Sequence, residues 1–252
     1  VKTVPGANET LDILLRGRVP LIQGRKGYRT SVDSMLLAFF AASLGPVDRV
    51  MDLGAGSGLV AILLGRRFVG ASLALVELQP GLRDRARRNL VANGLSDRAE
   101  IIAHDLADGA PAIAPAPLVV CNPPFFTTAG RIPPADLERR TAHYESTATI
   151  AQFAAAASKC VTDDGVCVWI YPRQTSTRLV DGLIDAGLRD VAISHVTHRA
   201  GEEPIDRMLV SARIAPSTAV RTAGPVSLHP ATGDDSRYSA EIERFVAALG
   251  CL

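Results

Sequence analysis

The feature that most constrains this chain is a seven-residue loop, Asp52-Leu-Gly-Ala-Gly-Ser-Gly58, set between a short apolar run and a helical pattern. Arg49–Leu53 reads as a strand and Leu59–Phe68 as a helix, so the loop is a strand-to-helix turn. Its alternate glycines let the backbone turn tightly and approach a ligand, with the first helical N–H groups aimed at it. The same alternation continues downstream. Ser72–Glu77 reads as a strand, followed by a helix that Pro80 opens and Gly94 closes. Strands follow at Glu100–Ala103 and Leu118–Cys121, then a helix at Ile150–Val161, a strand at Val166–Tyr171 and a helix at Ser176–Ala186. Two last strands, near Val191–Thr197 and Arg207–Ile214, have no helix between them, which predicts an antiparallel pair at one edge. The fold class is therefore α/β: a doubly wound, mostly parallel, seven-stranded sheet with helices on both faces and an antiparallel edge pair.

Two flanks stand outside this alternation. Val32, Met35, Leu36 and Phe39 recur at helical spacing after Ser31, as do Tyr238, Ile242, Phe245, Val246 and Leu249 near the other end. They divide the chain into an N-terminal segment with a capping helix (1–44), a core (45–215) and a tail whose terminal helix packs on the core (216–252). The chain has 252 residues, 47% hydrophobic and 21% charged, which excludes a disordered polymer and allows one large core. The longest apolar stretch, from Met35, runs for about ten residues, too short to span a bilayer. Val1–Leu15 holds Pro5, Asn8, Glu9 and Asp12 and no signal-peptide core, so a cytoplasmic protein is expected. Cys121, Cys160, Cys167 and Cys251 include no C-x-x-C pair and read as free thiols in a reducing compartment. A net charge of +1 confines any nucleic-acid surface to a local patch.

The glycine loop can be sorted among nucleotide-type sites. A dinucleotide fingerprint counted from Gly54 needs glycine where Leu59 stands. A phosphate-binding Walker loop needs a lysine that is absent, and a nucleophile elbow around Ser57 needs glycines where Ala55 and Leu59 stand. The remaining pattern, D-x-G-x-G-x-G, resembles the first motif of the class I S-adenosylmethionine-dependent methyltransferases. Glu77 ends the next strand 19 residues after Gly58, where a carboxylate can accept from both ribose hydroxyls of an adenosine cofactor. Asp105 follows the third strand and can accept from an adenine amino group.

Asn122-Pro-Pro-Phe125 follows the fourth strand. In a doubly wound sheet that strand typically borders the first across the order reversal, so Gly54 and Asn122 should end close together. An amide or adenine amino nitrogen is planar and a poor nucleophile. The Asn122 side-chain carbonyl and the Pro123 backbone carbonyl offer two acceptors to one NH2, fixing it and shifting its electrons toward the lone pair. Phe125 offers a flat face for a planar acceptor.

Together, Asp52–Gly58, Glu77, Asp105 and Asn122–Phe125 resemble the amino-directed class I methyltransferases, with their Rossmann-like fold. Gly27–Leu37, Tyr238–Glu241 and Ala142–Thr147 resemble the N-terminal signature, tail and substrate loop of the bacterial tRNA1(Val) adenine-N6 methyltransferase family. The likeness covers most of residues 20 to 250, with Phe125 where Tyr is common and a longer Pro-bearing loop at Arg131–Arg140. It implies S-adenosyl-L-methionine as cofactor and a tRNA adenine as acceptor. The implied cofactor residues are Asp52, Gly54, Ala55, Gly56, Gly58, Glu77, Leu78, Asp105, Leu106 and Asn122, with Pro124 and Phe126 on the acceptor side. Same-chemistry alternatives are a protein glutamine amide, or an amino group in rRNA or DNA; a cofactor-binding protein without catalysis is the alternative of another class.

Asp33 is either an acid favoured in a helix's first turn or a contact to the cofactor's amino-acid end. His195 and His198 face opposite sides of a strand, and no metal is expected. Arg83, Arg85, Arg87 and Arg88 read as a solvated helix face. Five of the fourteen residues from Arg16 to Arg29 are basic (Arg16, Arg18, Arg25, Lys26 and Arg29) and none is acidic. Arg25 and Lys26, with Arg139 and Arg140 from the loop after the fourth strand, are the expected RNA contacts.

Overall fold

A computed structural model describes residues 4–27, 29–125, 148–233 and 235–250. The expectations placed on Phe126, Arg139, Arg140, Ala142–Thr147 and Cys251 lie outside the described residues.

The chain opens with an antiparallel hairpin, β1 (Glu9–Leu14) and β2 (Val19–Gly24), then α1 (Val32–Ser43). The alternating core follows: β3 (Arg49–Leu53), α2 (Leu59–Arg67), β4 (Ser72–Val76), α3 (Pro80–Ala92), β5 (Ala99–Ile102), β6 (Ala116–Cys121), α4 (Ile150–Cys160), β7 (Val161–Tyr171), α5 (Ser176–Asp185), β8 (Leu188–Arg199) and β9 (Pro204–Ile214). Short strands β10 (Ala219–Thr222) and β11 (Val226–His229) and the helix α6 (Ala240–Ala248) complete it.

The main sheet runs β10-β8-β9-β7-β6-β3-β4-β5, with β11 also on β8. β3 pairs in parallel with both β4 and β6, so chain order reverses at β3, as a doubly wound sheet requires. The expected antiparallel pair is β8 and β9, but it is not the edge. β10 and β11 both add in parallel to the outer side of β8, which gives the sheet nine strands among the described residues rather than the expected seven. These additions are only four residues each, too short for a periodic signal.

Side chains alternate across the sheet. Val50, Leu118, Val120, Val166, Val168 and Ile170 pack toward α1, α2, α3 and α6. Met51, Leu53, Val119, Cys121, Cys167 and Trp169 pack toward α4 and α5. β7 begins five residues earlier than its apolar pattern suggests. Polar Thr162–Asp164 are accommodated by a register shift, with Ala116 opposite Val161 but Leu118 opposite Val166. The Cys121, Cys160 and Cys167 thiols are free and buried, and burial pushes each of them up, Cys160 to about 11.

Candidate active site

Four strand ends assemble the site. After β3, the N–H groups of Gly54 and Ala55 both donate to the Val76 carbonyl at the end of β4 (2.9 and 3.0 Å), which curls the loop over the sheet edge. Gly54 (φ +75°) and Gly58 (φ +88°) hold left-handed backbone. A Cβ on Gly54 would come within 3.3 Å of the Phe153 ring, and one on Gly58 within 3.2 Å of Leu75 and 3.4 Å of Ala86. Gly58 thus lets α2 start close to α3 and β4.

Glu77 is 6% exposed, and both its oxygens are held by backbone. Oε2 accepts from Gly56 N–H and Oε1 from Gln79 N–H, each at 2.8 Å. Burial pushes the Glu77 carboxyl up, against the pull of these bonds and of Arg83. Each oxygen keeps a further lone pair for a ligand hydroxyl. Asp105 accepts from Ala107 N–H through Oδ1 (2.9 Å), capping a short turn at Leu106–Asp108. Glu77, Leu78, Asp105, Leu106, Gly56 and Pro124 line one cleft.

A smaller polar cleft continues from it, lined by Thr30, Ser34, Asp52, Ala55 and Ser57. Gly54 and Asn122 line both clefts. Their closeness follows from the pairing of Leu53 with Cys121, the residues that precede them. Asp52 is 2% exposed, and its Oδ2 is buried with no hydrogen-bond partner among the described residues. Burial, with a smaller contribution from the Glu77 charge, raises its carboxyl from 3.8 to about 7, despite an Ala61 N–H bond that opposes the rise.

On the other side, Pro123 is buried, and Phe125 packs edge-on against Tyr171, with ring centroids 5.7 Å apart at 87°. The Arg207 guanidinium carbon lies 5.1 Å from the Phe125 ring centre. Arg207 Nε also donates to both Asp33 oxygens at 3.1 Å. Asp33 is therefore joined to β9, and the share of the cleft supplied by α1 and its approach is Ser34 and Thr30. Ser31 caps the helix, its Oγ accepting from Asp33 N–H at 3.3 Å.

Several contributors carry no sequence signal of their own. Arg207 lies 174 residues from Asp33, and its meeting with Phe125 depends on β9 pairing with β7. Fully buried Asn89 on α3 accepts from Ile22 N–H (2.6 Å) and donates to the carbonyls of Ile22 (3.1 Å) and Ser57 (2.9 Å). It thereby ties the glycine loop to the hairpin.

The helix charges also need correction. Arg85 and Arg88 on α3 pair with Glu9 of β1, with Arg88 Nη2 at 2.7 Å, and Arg83 donates to the Glu77 and Leu78 carbonyls. The Arg88 guanidinium holds the Glu9 carboxyl down at about 2. Exposed Arg87 alone of the four fits a solvated face. The basic stretch is likewise partly neutralised: Arg16 pairs with Glu243 and Arg29 with Asp12, whereas Arg25 and Lys26 are exposed just after β2.

Residues 31–135 match the methyltransferase small domain. A tRNA1(Val) (adenine(37)-N6)-methyltransferase of Porphyromonas gingivalis W83 is 30% identical over 228 residues, covering 86% of each chain. The chain belongs to the tRNA1(Val) (adenine(37)-N6)-methyltransferase family. Another member, from Erwinia tasmaniensis, is 27% identical over 86% of this chain and 85% of its own. Among solved structures, a predicted O-methyltransferase from Agrobacterium tumefaciens superposes with a TM-score of 0.66 at 21% identity, over 87% of this chain and 98% of that one, which shows the shared fold. The protein is thus a Rossmann-like methyltransferase with S-adenosyl-L-methionine as its methyl donor. The family cofactor fits what the clefts offer: an orphaned, buried carboxylate oxygen on Asp52, and carboxylates at Glu77 and Asp105 spaced along the larger cleft.

Proposed function

We propose that this protein methylates the N6 amino group of an adenine in tRNA, adenine 37 of tRNA1(Val) by the activity named for its relatives. The observation that carries this reading is the position of Asn122-Pro-Pro-Phe125 beside Gly54, at the junction of the two clefts. Glu77 holds the cofactor's ribose hydroxyls and Asp105 its adenine amino group. The glycine loop, with Leu78 and Leu106, encloses the adenosine, and Asp52 faces the ammonium of its amino-acid end.

The donor supplies an electrophilic methyl group and departs as a neutral thioether. Asn122 Oδ1 and the Pro123 carbonyl accept from the acceptor's two N–H bonds and hold the nitrogen lone pair toward the donor. Phe125, braced by Tyr171 and Arg207, stacks on the base, with Pro124 at the cleft wall. The nitrogen–carbon bond forms as the sulfur–carbon bond breaks, and the extra proton on nitrogen leaves afterwards to water, so no general base precedes attack. Orientation supplies much of the rate, on the order of 7 kcal/mol at best. An anticodon-loop base is already partly unstacked and costs little to flip. Arg25 and Lys26 contact phosphates nearby, and a tRNA substrate agrees with a cytoplasmic location.

Nucleoside mass spectrometry tests the proposal, after incubation of unmodified tRNA and, separately, a protein lysate with labelled donor. Labelled N6-methyladenosine in tRNA is expected. Label appearing only in methylglutamine peptides would replace the tRNA reading.

A further inference from the structure

The geometry points to a second site, for a divalent transition-metal ion of the zinc class, built from His198, His229 and Asp235. Their ligand atoms lie within 4.8 Å of one another, although the residues come from three segments: β8, β11 and the approach to α6. Parallel pairing of β11 with β8 puts His229 opposite Arg199, which brings His198 and His229 to neighbouring strand ends.

Three details suit a metal site. First, His198 Nε2 and Asp235 Oδ2 are 3.2 Å apart. Two ligands about 2.1 Å from one zinc at a tetrahedral angle would be about 3.4 Å apart. Second, His229 Nδ1 lies 2.8 Å from the Arg237 carbonyl. A carbonyl only accepts, so Nδ1 carries the proton and Nε2 keeps a bare lone pair, the outer-shell arrangement typical of metal-binding histidines. Third, Arg199 engages Oδ1 of Asp235, so Oδ2 is the oxygen that faces His198. The two imidazoles are 4.9 Å apart and inclined at 59°, so they converge rather than stack.

Binding forms three coordinate bonds, from Nε2 of each histidine and Oδ2 of Asp235. The hydrogen between His198 Nε2 and Asp235 Oδ2 passes through water to Nδ1 of the same ring, which frees the Nε2 lone pair, and water fills the fourth position. The positive charge of Arg199 makes this site weaker than a four-ligand structural one. Its effect is to clamp β11 and the approach to α6 onto β8. The site lies at the same carboxyl end of the parallel strands as Asn122 but three strands away.

The test uses the full chain without a polyhistidine tag, stripped with chelator and titrated with Zn2+ by calorimetry and with Co2+ by visible spectroscopy. One equivalent should bind, cobalt should show the bands of a four-coordinate site, and zinc should raise the melting temperature. His198→Ala and Asp235→Asn change half-exposed side chains (44% and 55%) and should each weaken zinc binding about a hundredfold, with circular dichroism and donor affinity unchanged. Failure of zinc to saturate the wild-type protein, or wild-type zinc affinity in His198→Ala, would overturn the site.

Discussion

Asp52, on β3, and Asn122, just past the end of the adjoining β6, carry opposite requirements. Folded Asp52 keeps its proton up to about pH 7, whereas the unfolded chain releases it near 3.8. Between those values the folded state binds more protons, so stability falls as pH rises through the window, by about 4 kcal/mol at most, and is level above it. Asp52→Asn cannot titrate and should lack this decline. Urea unfolding of both proteins at pH 5 and pH 8 measures the difference, and equal pH dependence would refute the raised carboxyl. The same substitution should weaken donor binding above pH 7, where a neutral amide replaces the carboxylate charge facing the ammonium. Asn122→Ala should behave in the opposite way. It removes an acceptor needed at the reacting nitrogen, so turnover should fall by about a hundredfold or more while donor affinity stays within about twofold. Single-turnover kinetics with calorimetry separates the two, and activity within threefold of wild type would exclude the amino-group mechanism.

At the scale of elements, the site depends on how the N-terminal hairpin is held. β2 is buried along its whole length, although Pro20 interrupts its pattern and makes it unreadable as a strand in sequence. Its anchor is Asn89, which spans from β2 to the glycine loop. Asn89→Ala would leave the Ile22 N–H and the Ile22 and Ser57 carbonyls buried without this partner, at about 1–3 kcal/mol for each group left unsatisfied. Denaturant unfolding should show a loss of at least about 3 kcal/mol. Donor affinity should fall as well, since Ser57 belongs to the loop that lines the smaller cleft. A variant of wild-type stability would show that the three bonds are replaced, most simply by water. The Asp33–Arg207 pair ties α1 to β9 in the same manner, and through it the α1 end of the site to the face of Phe125.

For the whole molecule, charge is settled by pairing rather than by count. With Arg16 and Arg29 engaged by carboxylates, Arg25 and Lys26 are the members of that stretch best exposed for phosphate contact. Replacing both with Ala should weaken tRNA binding and flatten the slope of log K against log salt by about 1–2, leaving donor binding unchanged. An unchanged slope would remove this segment from the RNA surface. The loop from Asp52 to Gly58, the acids at strand ends and the Asn-Pro-Pro-Phe element were all legible in sequence, because each is local: it needs only a strand, a turn and a residue type at fixed spacing. The alternation of strands and helices was legible for the same reason, and it sufficed to place Gly54 beside Asn122. Tertiary structure alone decided the rest. Glu9 with Arg88, Asp33 with Arg207, Asn89 with Ser57, and His198 with His229 are contacts between residues 31 to 174 positions apart. Such pairs leave no periodic trace in the chain, because side chains this distant meet only after strand order and helix packing have fixed where each element lies.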